Sequence, residues 1–138
     1  MPEIHHEIKI KADPEAVFAA LTTVDGLKGW YAAEVEDRSG SWAFTHTSKD
    51  HLKFVFEVTE SESPSRVGWR CSEGPNDAAG TTTTYLLSAT GDGRTLVEFS
   101  HTQWPGSEGN FRKCNTNWAI LLHHLKQYVE TGTATPAF

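Results

Sequence analysis

The chain has 138 residues, with 12 Lys and Arg against 18 Asp and Glu and a formal charge of −6. That length fits one domain with one core, and an acidic balance without any Lys/Arg cluster argues against nucleic acid and anionic membrane surfaces, both of which need concentrated positive charge. A polar N-terminus and the lack of an apolar run of spanning length predict neither a signal peptide nor a transmembrane helix, which makes the cytoplasm the expected location.

Taken in order, residues 4–12 alternate, with His6, Ile8 and Ile10 on one face and Glu7, Lys9 and Lys11 on the other, as in a half-buried strand. Asp13-Pro14 then supplies an N-cap and a first helical residue, and Val17, Phe18 and Leu21 form a short apolar stripe. Residues 27–31 read as another helical turn whose tail, Gly29-Trp30-Tyr31, closes a corner of the core. Residues 33–37 suggest a short strand. A hairpin follows, with Trp42, Phe44 and His46 on one face of the first arm and Leu52, Phe54, Phe56 and Val58 on one face of the second, joined through Ser48-Lys49-Asp50.

Pro64 interrupts the pattern before Val67, Trp69 and Cys71 resume it. The turn-rich stretch 72–80 is expected to be a mobile loop. Residues 81–88 are β-branched and aromatic, with Thr83 and Tyr85 on one face, and Gly91-Asp92-Gly93 leads into a strand in which Thr95, Val97, Phe99 and His101 alternate with Leu96, Glu98 and Ser100. The face is least clear there, because Leu96 is as apolar as Val97. Residues 107–131 form the longest element: Phe111, Cys114, Trp118, Leu121, Leu122, Leu125 and Val129 share one side of a helical wheel, and Gly132 is a plausible left-handed stop. His123 and His124 fall mostly on the solvent side. Residues 133–138 lack periodicity and read as a frayed or surface tail.

Strand, short helices, five or six antiparallel strands and a long helix make an α+β chain, with a single domain over 1–132. An amphipathic helix after a run of strands belongs on the open face of the sheet, and the functional question is whether the space between them is filled or hollow. Cys71 and Cys114 have no metal or redox spacing and read as buried reduced thiols.

Several stretches carry a family resemblance: Ile8-Lys9-Ile10-Lys11-Ala12-Asp13-Pro14-Glu15-Ala16-Val17-Phe18 with Leu21-Thr22, then Trp30, Val67-Gly68-Trp69, Phe99-Ser100-His101, and Asn117-Trp118 leading to Leu122, Leu125 and Tyr128-Val129-Glu130-Thr131-Gly132. In order and spacing the chain resembles the START-like helix-grip superfamily, also called SRPBCC or Bet v-like, and within it the family named after the activator of heat shock protein 90 ATPase. It departs from the commoner pattern at Asn117, where the family more often has Gly, and at Cys114. The resemblance implies a curved sheet of six or seven strands gripping the C-terminal helix over a cavity that in many relatives takes a lipid, polyketide or other apolar molecule. Fold alone is weak evidence for function.

The inward positions are Trp42, Phe44, His46, Phe54, Phe56, Trp69, Cys71, Tyr85 and His101, faced by Phe111, Cys114, Trp118, Leu121 and Leu122, and these are the candidate ligand-binding residues. Such a wall suits a small-molecule site and equally a packed core. No nucleophile motif, phosphate loop, paired carboxylates, metal set or cofactor motif is recognisable. The leading expectation is a binding protein for an apolar or aromatic small molecule, with Tyr85, His46 or His101 fixing its polar end. The alternative is a cyclase or dehydratase using a histidine or tyrosine as acid or base. A chaperone activator ranks last, because the well-known activators carry a further N-terminal domain. Ile120, apolar and off the stripe, hints at a homodimer contact.

Overall fold

The computed structural model describes residues 2–47, 50–75 and 77–138. In chain order the elements are β1 (Ile4–Ile10), α1 (Pro14–Thr22), α2 (Val24–Trp30), β2 (Glu34–Asp37), β3 (Ser41–His46), β4 (Leu52–Glu62), β5 (Arg66–Glu73), β6 (Thr82–Ala89), β7 (Thr95–Thr102) and α3 (Asn110–Thr131). All strand pairs are antiparallel, in the order β1-β7-β6-β5-β4-β3-β2. Every neighbour along the chain from β2 to β7 is a neighbour in the sheet, and β1 crosses by way of the two short helices to pair with β7. Among the described residues no helix is long and apolar enough to cross a membrane.

Register explains which side chains meet. One row of partners runs Ile4, His101, Thr83, Trp69, Val58, and the next runs His6, Phe99, Tyr85, Val67, so the alternating residues of five strands form one continuous inner face. Val97 is fully buried while Leu96 is half-buried, which settles the face of β7. Two register shifts between β4 and β5 curve the sheet: Ser72 is the extra residue on β5 opposite Val55/Phe56 and Thr59 the extra residue on β4 between Val58 and Glu60, and each bulge increases the local twist of its strand.

The helix rests on this face through Trp118, Leu121, Leu122 and Leu125. It starts at Asn110, three residues later than the periodicity suggests, since Gly109 adopts φ 60° ahead of it. At its far end Lys126 Nζ donates to the Lys9 carbonyl at 2.7 Å and to Glu130 Oε2 at 2.7 Å, and Glu130 Oε2 also accepts from the Lys11 amide at 2.7 Å. Those bonds fasten α3 to the end of β1.

Asp13 starts α1 through its carbonyl, which accepts from the Ala16 and Val17 amides, while its side chain makes no cap bond. Thr23 caps α2 by accepting from the Gly26 amide at 3.0 Å, and the Trp30 indole donates to the Ala20 carbonyl at 2.9 Å, locking α2 to α1.

One expectation needs correction and another is narrowed. The stretch 72–80 is not a loose loop in its described residues: β5 runs through Glu73, Ala78 is buried, and the Gly80 amide donates to the Cys71 carbonyl at 2.8 Å while the Cys71 amide donates to Thr81. Residues 133–138, expected to be frayed or to lie on the surface, lie on the surface and are not frayed. Amides of Thr135, Ala137 and Phe138 donate to the carbonyls of Gly29, Trp30 and Tyr31, the Ala33 amide donates to Phe138, and His124 Nδ1 lies 2.6 Å from the Thr135 carbonyl. The segment lies along the end of α2, fastened to it by these backbone bonds. Ser48 and Lys49 of the expected hairpin turn lie outside the described residues.

Candidate functional site

Trp118, projecting from the middle of α3, is the centre around which the inner face is arranged. Its ring lies 4.4 Å from Phe99, 5.7 Å from Tyr31, 6.1 Å from Tyr85 and 6.1 Å from His101. Tyr31 enters from the C-terminal end of α2 and stacks on Phe44 of β3 at 4.1 Å and 18°.

His101 is held in a directional chain. The Trp118 indole can only donate, and it does so to His101 Nδ1 at 3.0 Å. Nδ1 is therefore the acceptor nitrogen and Nε2 carries the proton, which it directs to Thr81 Oγ1 at 2.7 Å. Thr81 in turn donates to the Ala78 carbonyl at 2.6 Å. Each group satisfies the next, and the imidazole is fixed as a neutral tautomer. Burial pushes its pKa down to about 3.

The phenols are equally unsuited to giving up protons. Tyr31 is raised well above the ordinary tyrosine value, first by burial and then by the thiols of Cys114 and Cys71, and Tyr85 is raised by burial and by Tyr31. Thr83 lies close enough to ease the Tyr85 shift, yet neither Tyr85 Oη nor Thr83 Oγ1 completes a hydrogen bond of ordinary geometry. Burial also pushes the Cys71 thiol up to about 11.

The expected open hollow is closed. Between sheet and α3 a void of about 30 Å³ remains, lined by Tyr31, His46, Phe54, Phe56, His101, Cys114, Asn117, Trp118, Leu121 and Phe138. That volume suits one or two water molecules, against the several hundred Å³ of a drug-sized site. Large aromatics fill the rest. Outside it, a groove of about 470 Å³ runs between the β3–β4 hairpin and the first turns of α3, lined by His46, Leu52, Phe54, Pro75, Asn110, Lys113, Cys114 and Asn117. Groove and void share His46, Phe54, Cys114 and Asn117, so four side chains form the partition between them.

Of the residues singled out from sequence, His46, Phe54, Phe56, His101, Cys114, Trp118 and Leu121 meet at the void. Trp42, Phe44, Trp69, Cys71, Tyr85 and Leu122 are buried in the surrounding core, and Phe111 packs edge-on against Trp104 at 5.8 Å and 90°. Leu52, expected inside, is 39% exposed on the groove. Sequence reasoning did not single out Tyr31, Asn117 or Phe138 as lining residues. Tyr31 had a signal, as one of two large aromatics at a helix end, whereas Phe138 sits in a stretch with no period to betray burial. Its ring stacks on His46 at 4.0 Å and 3°.

The model of the family described as Activator of Hsp90 ATPase homolog 1-like protein matches residues 11–130. No curated protein matches the chain. Among solved structures, the Aha1 dimer from Colwellia psychrerythraea is 32% identical with a TM-score of 0.84, covering 96% of this chain and 98% of that one. The AHSA1-like protein from Aeromonas hydrophila is 22% identical with a TM-score of 0.74, covering 95% and 94%. DynU16, from the dynemicin biosynthetic locus, has a TM-score of 0.74 at 20% identity over 96% of this chain and 48% of that one; at such identity the likeness is one of fold. With a seven-stranded curved sheet gripping its last helix and a family match over most of its length, the chain belongs to the Activator of Hsp90 ATPase homolog 1-like family.

Proposed function

We propose that this protein binds a small apolar or aromatic molecule, lipid-like or polyketide-like, that enters through the groove between the β3–β4 hairpin and α3 and reaches the space beneath Trp118. The observation that carries the reading is the shared partition: His46, Phe54, Cys114 and Asn117 line both the outer groove and the inner void, so small rotations of side chains would join them. The floor is apolar and the rim offers Asn110, Lys113 and Asn117 for a polar end, the usual division of labour in small-molecule sites. Native mass spectrometry and a thermal-shift screen with fatty acids and aromatic polyketides test it. A rise in melting temperature that disappears in Phe54→Asp is expected, and no shift with any compound ends the reading.

Catalysis in the same space receives less support, because His101 and Tyr85, the acid and base candidates, are both neutral at physiological pH and held in that form by burial, His101 by its hydrogen bonds as well. Activation of a chaperone ATPase gains weight from the 32% identity to the Colwellia Aha1. Stimulation of a purified heat shock protein 90 ATPase by this chain would favour it over ligand binding, and unchanged hydrolysis would remove it. That relative is a dimer, and with Ile120 49% exposed on the outer side of α3, a second copy of this chain is a candidate partner that light scattering would detect.

A further inference from the structure

We infer that the space beneath α3 is a seat for one planar aromatic ring, and that the side chain of Phe138 occupies it as an internal stand-in which a ligand displaces. The inference rests on the binding reading above and names both the ligand class and the device that closes the site. Phe138 lies almost parallel to the His46 imidazole, 4.0 Å away at 3°, and His46 is itself stacked on Phe54 at 4.7 Å and 26°. Tyr31 approaches the same ring at 6.4 Å and 53°. Flat surfaces at stacking distance with tilted aromatic walls suit a ring far better than a flexible chain, because offset stacking rewards planarity.

The volumes agree. With Phe138 in place the void is about 30 Å³, too small for any organic ligand, and removing a phenyl ring brings it toward the ~150 Å³ of an apolar cavity that holds benzene. The fastening of the segment is also of the exchangeable kind. Thr133, Ala134 and Thr135 are exposed, and the segment is held along residues 29–33 by backbone hydrogen bonds and at the Thr135 carbonyl by the His124 imidazole, all polar contacts that water can replace. In residues 133–138 only Ala137 and Phe138 pack against the core. Release therefore exposes one large ring, and an incoming ring re-covers the surface it leaves.

The test uses the full chain, with indole and octanoate as probes, followed by calorimetry and by amide chemical shifts. Phe138→Ala is expected to bind indole at least tenfold more tightly than the wild type, with shifts at Tyr31, His46 and Leu121, and to gain nothing toward octanoate. Phe138→Leu, which keeps most of the volume and removes the planar ring, covers the case in which the alanine variant does not fold, and should also bind indole more tightly than the wild type. Equal indole affinity in wild type and variants overturns the seat, as does an equal gain for octanoate. A compound from the screen that binds wild type and Phe138→Ala alike would sink this inference while leaving the broader binding reading intact.

Discussion

The Trp118 indole donates to Nδ1 of His101 at 3.0 Å, and this one bond decides what the histidine can do. With Nδ1 engaged as acceptor and Nε2 committed to Thr81, the imidazole links the centre of α3 to the residue just ahead of β6. His101→Ala removes a buried ring and leaves the Trp118 N–H unpaired, so we expect a loss of about 2–4 kcal/mol in urea unfolding. Unchanged stability would show that the chain does not hold the fold.

The same residue gives a pH signature. His101 titrates near 6.5 when unfolded and near 3 when folded, so between those values the unfolded chain binds the extra proton and stability falls as pH falls. The contribution is complete above about pH 6.5, and it declines by roughly 1.4 kcal/mol per pH unit below that. His101→Gln cannot titrate, so its deficit relative to wild type should shrink from pH 6.5 toward pH 5. A constant deficit would contradict a histidine buried as the neutral form.

Tyr85→Phe should have the opposite character to a catalytic mutation. The hydroxyl is fully buried without a hydrogen bond of ordinary geometry, and its ring packs edge-on against Trp69 at 5.1 Å. Deleting the oxygen keeps the packing and removes a desolvated polar group, which should leave stability unchanged or raise it by up to about 1 kcal/mol. Equilibrium unfolding measures this, and a marked loss would reveal a partner for the phenol.

Glycines in α2 show where the sequence stopped being informative. A Cβ at Gly26 would lie 2.6 Å from Ala20 Cα, a backbone atom of α1, and one at Gly29 would run into the Tyr128 ring. Gly26→Ala should cost about 3 kcal/mol, because two helices must separate, and Gly29→Ala only about 1 kcal/mol, because a half-buried ring can turn aside. Melting temperatures in that order are expected, and equal values would refute the close helix crossing.

Period-2 and period-3.6 patterns revealed the strands and α3, since those patterns record one-sided burial directly. Val97 and Leu96 show the limit of that signal: both are apolar, and only pairing with Ile8 and Leu87 puts Val97 inside. Close approach at Gly26 and the seating of Phe138 leave no period at all. The inner face was legible for the same reason that its closure was not. Alternation tells which way His46 and Phe54 point, but the ring that fills the space before them comes from residues 133–138, across a distance in sequence that no local pattern spans.

Cysteine reactivity offers the most direct reading of the partition. Cys71 is buried, donates to the Glu73 carbonyl at 3.4 Å, and has a pKa pushed up to about 11 by burial, so its nucleophilic thiolate is scarce at pH 8. Cys114 is half-buried and lines both the groove and the void. Iodoacetamide should therefore modify one thiol per folded chain, at Cys114, and reach Cys71 only in denaturant. Because Cys114 stands between groove and void, a ligand passing that wall must cover its sulfur, and indole should slow labelling of Phe138→Ala more than of the wild type. Labelling of Cys114 that ignores every ligand able to raise the melting temperature would place the bound molecule elsewhere and remove the partition from the path.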